Sequence, residues 1–372
     1  MSKIRVLIVD DSVVIRRLLS ENLSSDPAIE IAGTAADGLI GLAKIAQLNP
    51  DIVILDVEMP VMDGLRTLAE IRKVYASLPV IMFSTLTGVG TSATIEALVL
   101  GASDYATKPT SADHARDSVR EELIPKIKTL CHWELKSETA AKKLPLSTKT
   151  AIHAAGASAP VQILAIGVST GGPNALAALL PALDKAIPVP VVIVQHMPKV
   201  FTSLLASRLA SVSGFSVREG KMGERLHPGE VWIAPGGYHM EVEKTFDGIS
   251  LRTHEGPPEN SCRPAVDVLF RSVAAVYGPG VLAVVLTGMG QDGLRGSEKI
   301  LDAGGRVLAQ DQESSVVWGM PGAVSQAGLA DNVLPIDKLA AEINRRVLGI
   351  PPHTFQPHVL NQSKQHSLVK SI

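Results

Sequence analysis

Arg5-Val6-Leu7-Ile8-Val9-Asp10-Asp11-Ser12 is the stretch from which the fold of this chain is read. Its apolar run shows no polar alternation, the mark of a strand covered on both faces, as strands of parallel sheets are. The run ends on two neighbouring carboxylates. Outward from it the pattern repeats. Residues 29–34, 52–55, 80–83 and 104–107 read as four further strands, and residues 13–23, 39–47, 65–74, 91–100 and 112–130 as helices between and after them. Five β-α units of this length imply a doubly wound α/β domain, which binds its ligands at the carboxyl ends of the strands.

The whole chain has 372 residues, 46% of them apolar and 19% charged, which supports a sizeable core and excludes a disordered or fibrous chain. At ~150 residues per domain the length fits two or three units. Lys and Arg total 35 against 37 Asp and Glu, a net charge of −2, so nothing attracts nucleic acid or an anionic membrane in general. An aromatic content of 3% leaves few platforms for stacking bases, and no basic recognition helix is visible. Cys131 and Cys262 alone cannot build a disulfide framework or a thiolate metal cluster. No signal peptide is recognisable, and no apolar run reaches the ~18 residues of a membrane helix, so a cytoplasmic protein without membrane insertion is expected. The composition divides the chain into a domain over 1–130, a Lys/Ser/Thr/Ala/Pro-rich linker over 131–160, a second α/β domain over 161–350 and a Gln/Ser/His/Lys-rich tail over 351–372, expected to be disordered.

In the first domain Asp10 and Asp11 close the first strand and Asp56 the third, so three carboxylates converge on one crevice. Carboxylates this close repel one another unless a hard cation neutralises them, and Mg²⁺, which prefers oxygen ligands, suits the pocket. Ser84 ends the fourth strand, and Lys108 follows the fifth. A hydroxyl and an ammonium therefore face the same crevice, and the set would hold a phosphoryl group on Asp56. Taken singly, Asp11 or Ser12 could simply cap the helix that follows.

Val9-Asp10-Asp11-Ser12, Leu55-Asp56-Val57-Glu58-Met59-Pro60-Val61-Met62-Asp63-Gly64 and Thr107-Lys108-Pro109 resemble a two-component receiver domain of the flavodoxin-like fold. The resemblance covers about the first 125 residues. It implies Asp56 as phosphoacceptor, Asp10, Asp11 and Asp56 as the Mg²⁺ site, Ser84 and Lys108 as phosphate sensors and Tyr105 as the switch aromatic.

The second domain opens with a strand over 161–168 that runs into Ser169-Thr170-Gly171-Gly172-Pro173; residues 189–195 and 281–287 are comparable strands, and 231–234, 248–253 and 306–310 shorter ones. Gly167-Val168-Ser169-Thr170-Gly171 matches the G-x-S-x-G nucleophile elbow, although a Gly-rich turn before a helix can equally cradle a phosphate. A serine hydroxyl needs a base to become a nucleophile. His196 follows the 189–195 strand, and Asp292 lies in Thr287-Gly288-Met289-Gly290-Gln291-Asp292-Gly293 after the 281–287 strand. Nucleophile, base and orienting acid would thus meet at one sheet edge. The order Ser, His, Asp differs from that of ordinary α/β-hydrolases. His227, His239 and His254 are rival bases, each in a Gly/Pro-marked segment that suggests a surface loop. Cys262 is a rival nucleophile, with nothing in its sequence surroundings to mark it as activated. Asp292 before Gly293 could be only a turn.

Further blocks accompany these: Gln195-His196-Met197-Pro198, Ile233-Ala234-Pro235-Gly236-Gly237-Tyr238-His239, Ser261-Cys262-Arg263-Pro264-Ala265-Val266-Asp267-Val268-Leu269-Phe270 and Val316-Val317-Trp318-Gly319-Met320-Pro321. Together with the receiver in front, they resemble the chemotaxis protein-glutamate methylesterase family from about residue 3 to about residue 348. The resemblance implies a second doubly wound, mainly parallel sheet and a catalytic Ser169, His196 and Asp292. It implies demethylation of glutamate methyl esters and deamidation of selected glutamines on methyl-accepting chemotaxis receptors. A chemotaxis histidine kinase would be the phosphodonor, and the unphosphorylated receiver would cover the site. The ester chemistry would need no cofactor. Thr170 and Met289 are the candidate oxyanion positions. The contrasting reading is a receiver fused to a non-catalytic nucleotide- or ligand-binding α/β module.

Overall fold

The computed structural model describes residues 3–85, 88–108, 119–131 and 159–350. The first sheet is parallel, in the order β2-β1-β3-β4-β5. Its strands are β1 (Ile4–Val9), β2 (Ile29–Ala35), β3 (Ile52–Asp56), β4 (Val80–Ser84) and β5 (Asp104–Thr107). Around it lie α1 (Val13–Leu23), α2 (Gly38–Leu48), α3 (Gly64–Val74) and α4 (Gly88–Val99). Caps written into the sequence set three of the helix starts. Ser12 Oγ accepts the N–H of Ile15 at 3.4 Å, Asp37 that of Ile40 at 2.9 Å and Asp63 that of Arg66 at 2.8 Å, each bond worth ~1 kcal/mol. Ser12, not Asp11, is therefore the cap of α1, which leaves Asp11 for the crevice.

The helix expected over 112–130 differs where it can be followed. Val119–Leu123 is a π-helical turn that leads into α5 (Ile124–Leu130), whose second residue is Pro125. Residues 109–118 lie outside the described part. So do the expected tail and nearly all of the expected linker.

The second sheet is also parallel, in the order β14-β13-β12-β6-β7-β9-β8. Its strands are β6 (Ile163–Val168), β7 (Val191–Gln195), β8 (Ser216–Glu219), β9 (Glu230–Ile233), β12 (Val281–Val285), β13 (Arg306–Gln310) and β14 (Asn332–Leu334). β10 (His239–Thr245) and β11 (Gly248–His254) form a separate antiparallel hairpin. The helices are α6 (Gly172–Ala182), α7 (Lys199–Ser213), α8 (Val266–Tyr277), α9 (Leu294–Asp302), α10 (Met320–Gln326) and α11 (Ile336–Val347). Strands β6, β7 and β12 are buried at every residue, as their unbroken apolar sequences demand. The sequence reading did not find β8, β10 and β14. The first and last are short polar edge strands, and β10 alternates charges along Met240-Glu241-Val242-Glu243-Lys244.

Winding starts at β6 and proceeds outward on both sides, so β6 is flanked by β12 and β7. The loops after these three adjacent strands share one edge of the sheet. The first domain packs against that edge. Tyr105 of β5 meets Phe201 of α7 with ring centroids 4.7 Å apart, and both belong to an apolar cluster that runs through the two domains. No helix among the described residues is long and apolar enough to cross a membrane.

Candidate active site

The acidic crevice forms where the first sheet reverses its winding, between β1 and β3. Carboxylate oxygens of Asp10, Asp11 and Asp56 lie within 4.8 Å of one another. Lys108 Nζ sits 2.8 Å from Asp10 Oδ2 and 2.7 Å from Asp56 Oδ2. Ser84 is buried at the end of β4, where its hydroxyl donates to the Thr85 carbonyl at 3.1 Å. Burial raises the Asp56 pKa and the Asp10 charge adds to that, while Lys108 opposes both; the result is about 6. Gly64 is required beside it, because a Cβ there would lie 2.1 Å from the Asp56 carbonyl oxygen. Tyr105 does not face solvent. It is buried under Lys126, whose Nζ lies 4.8 Å from the ring centroid.

At the second sheet Ser169 follows β6 on a turn fixed from both sides. Its N–H donates to the Thr287 carbonyl at 3.0 Å, and its carbonyl accepts from Gly172 N–H at 2.8 Å and from Gln195 Nε2 at 2.9 Å. Gly171 has φ +78°, and a Cβ there would stand 2.6 Å from Val316 Cβ, so only glycine fits. His196 follows β7, and its Nε2 lies 2.8 Å from Asp292 Oδ2.

Asp292 is itself held by the start of α8. Its Oδ2 accepts from Val266 N–H at 2.6 Å and its Oδ1 from Asp267 N–H at 3.0 Å. A helix N-terminus favours an anion. Burial pushes the Asp292 pKa up, but the bonds from His196 and from these backbone N–H groups outweigh it, and the net direction is down. Burial alone would lower the His196 pKa; the Asp292 bond, aided by Cys262, reverses this and raises it to about 9.

The remaining ring nitrogen, Nδ1, faces the Cys262 thiol at 3.5 Å. Among the described residues that thiol, and not the Ser169 hydroxyl, is its hydrogen-bond partner. Cys262, featureless in sequence, is thus beside the imidazole in space. The rival histidines are placed differently from the expectation of surface loops. His239 is buried at the start of β10, accepting Ala265 N–H at Nδ1 (3.2 Å), with Nε2 3.0 Å from the Pro257 carbonyl. His254 ends β11, with Nδ1 accepting Gly256 N–H at 3.1 Å and Nε2 3.3 Å from Glu241. Only His227 is exposed as expected.

Ser169, Thr170, His196, Cys262 and Met289 line one cavity of about 410 Å³. Its opposite wall comes from the first domain, from Asp104, Tyr105 and Lys126. Thr170 Oγ1 donates to Asp104 Oδ2 at 3.1 Å, so the residue next to Ser169 is tied to the other domain. Sequence reasoning missed Asp104, Lys126 and Asn260 here. The first two carry no motif, and Asn260 was detectable only as the polar residue just before the Ser261–Phe270 block.

A family model described as CheB methylesterase matches residues 164–343, and one described as response regulator receiver domain matches residues 6–120. The protein-glutamate methylesterase/protein-glutamine glutaminase of Trichodesmium erythraeum (strain IMS101) is 53% identical over 353 residues, covering 93% of this chain and 100% of the relative. That of Nocardioides sp. (strain ATCC BAA-499 / JS614) is 52% identical over 353 residues, 93% of this chain and 96% of the relative. The crystal structure of the Thermotoga maritima CheB methylesterase catalytic domain is 42% identical, covers 50% of this chain and 99% of its own, and superposes with a TM-score of 0.49.

Fold and matches together define a response regulator whose output domain is an esterase. The chain belongs to the protein-glutamate methylesterase/protein-glutamine glutaminase family. This membership favours an enzyme of chemotaxis adaptation over a non-catalytic ligand-binding module.

Proposed function

We propose that this chain hydrolyses glutamate methyl esters, and deamidates selected glutamines, on chemotaxis receptors by a serine acyl-enzyme route built from Ser169, His196 and Asp292. The observation that carries the reading is the His196–Asp292 pair, 2.8 Å apart, with His196 lining the same cavity as Ser169. The route requires the Ser169 hydroxyl to take the place that Cys262 holds at the Nδ1 side of His196. Ser169 then attacks the ester carbonyl while His196 takes its proton. As the C–O bond breaks, His196 gives that proton to the departing methoxide oxygen to form methanol, or to the departing amide nitrogen of a glutamine to form ammonia. Water activated by the same ring releases the glutamate. Asp292 holds the imidazole and stabilises its charged form. Thr170 and Met289, both on the cavity wall, are the positions whose backbone N–H groups would receive the oxyanion, at ~3 kcal/mol per donor.

The receiver supplies the control. Asp10, Asp11 and Asp56 offer an all-oxygen donor set suited to Mg²⁺, which when bound offsets the charge of a phosphodonor and of the phosphoryl group. Asp56 accepts that group from the chemotaxis histidine kinase, with Lys108 and Ser84 holding its oxygens. The unphosphorylated arrangement supports inhibition by occlusion. Asp104, Tyr105 and Lys126 of the receiver form the cavity wall opposite Ser169 and His196, where a receptor helix would have to approach. The test is methanol release from methylated receptor with and without acetyl phosphate. Release that rises with the phosphodonor and is lost in Ser169→Ala supports the reading, and release retained in Ser169→Ala overturns it.

A further inference from the structure

We infer that Asn260 is a positioning residue of the esterase site: its amide bridges the buried carboxylates of Asp292 and Asp267 and so sets how strongly Asp292 holds His196. The inference rests on the catalytic reading of His196 given above.

The contacts are specific. Asn260 Nδ2 donates to Asp292 Oδ1 at 2.8 Å and to Asp267 Oδ2 at 2.9 Å. Both carboxylates are buried, Asp292 at 2% exposure and Asp267 at 1%. Asp267 also accepts from Gly293 N–H at 3.0 Å and Gly296 N–H at 2.6 Å. Two like charges this close repel in a medium of low dielectric, and a shared donor between them offsets the repulsion. The Asn260 amide, with one hydrogen for each, is the side chain that does so.

The backbone is arranged for this contact. Asn260 and Ser261 have φ +53° and +62°, and Glu259 and Cys262 exchange both backbone hydrogen bonds, at 3.1 and 2.9 Å. That is a two-residue turn with both central positions left-handed, which asparagine tolerates better than most residues. The turn aims the Asn260 amide at Asp292 and sets the Cys262 thiol against the other side of His196. The charged and titratable groups around the pair are therefore known. Asp267 lies behind Asp292, and Glu259, bound to Arg271 at 2.6 Å, is next in the turn. Cys262 faces Nδ1, and Asp104 and Lys126 lie across the cavity. A carboxylate that loses a donor becomes a better acceptor, so removal of the Asn260 amide strengthens the Asp292 hold on the imidazolium.

The test uses the full chain with ¹⁵N-labelled histidine. In a Ser169→Ala background, the His196 titration is followed by NMR with and without Asn260→Gly, which keeps the left-handed turn and deletes the amide; Asn260→Ala is the second variant. The expected result is a His196 pKa about one unit higher, with Ser261→Gly, which relaxes the same turn, leaving it in place. In the active chain Asn260→Gly should lower kcat about tenfold at pH 7.5, leave KM within twofold and move the acid limb of kcat/KM to higher pH. An unshifted His196 titration in folded Asn260 variants overturns the inference. Absence of methanol release from the parent chain would instead strike the catalytic reading, and the titration would still decide whether Asn260 tunes the pair.

Discussion

Thr170, one residue past the proposed nucleophile, donates its hydroxyl hydrogen to Asp104 at the first residue of β5, 3.1 Å away. Two parts of the chain with separate sheets are thereby joined within one residue of the chemistry. Hydrogen bonds to a charged partner contribute ~1.5–3 kcal/mol, enough to bias a docking equilibrium by more than tenfold. Thr170→Val keeps the side-chain shape and the backbone N–H but removes the donor. Unphosphorylated methylesterase activity should rise about tenfold or more, while activity with acetyl phosphate changes little. Methanol release under both conditions checks it, and equal rates for variant and parent without phosphodonor would count against the latch.

The imidazole should impose a steep pH dependence. His196 is held near 9, above its ordinary 6.5, and must be neutral to act as base. Activity on a methylated receptor should therefore climb about tenfold per pH unit below 9 and flatten above it. Cys262 contributes to the upward shift, so Cys262→Ala should move the acid limb to lower pH. The stability sign follows from the same shift. A folded-state pKa above the unfolded one gives stability that is fully present below about 6.5 and lost as pH rises through about 9.

Chelation should separate the two domains' chemistry. With EDTA, stimulation by acetyl phosphate should vanish, because Asp10, Asp11 and Asp56 lose their counter-charge, while basal hydrolysis should persist. A basal rate that collapses with the stimulated one would point to a metal in the esterase itself.

Gly171→Ala should be costly in both fold and rate. Its Cβ would meet Val316 Cβ at 2.6 Å in a backbone conformation with φ +78°. A loss of ~2 kcal/mol or more in unfolding free energy, with activity reduced at least tenfold, is expected from denaturant and turnover measurements.

The strands that position both sites were legible because their apolar runs are unbroken. Val191 to Gln195 could only be a central strand, and His196 had to follow its carboxyl end. What sequence could not supply was proximity without a motif. Cys262 and His196 lie 66 residues apart, and nothing in either neighbourhood announces their contact. His239 stood in a Gly-marked segment and looked exposed, yet its two ring nitrogens hold the backbone of the loop that carries Asn260. Asp104 had no motif in sequence to mark it, since its partners are Lys126 and, from the other domain, Thr170.

The pocket beneath the receiver has a practical meaning. It keeps about 410 Å³, and the His196 side chain keeps 12% of its surface exposed, so under the proposed occlusion the docked enzyme would be screened by size and not sealed. A compact methyl ester would sample the resting molecule where a coiled bundle could not. Turnover of the two substrates by one preparation, taken as a ratio, would then report how often the lid lifts.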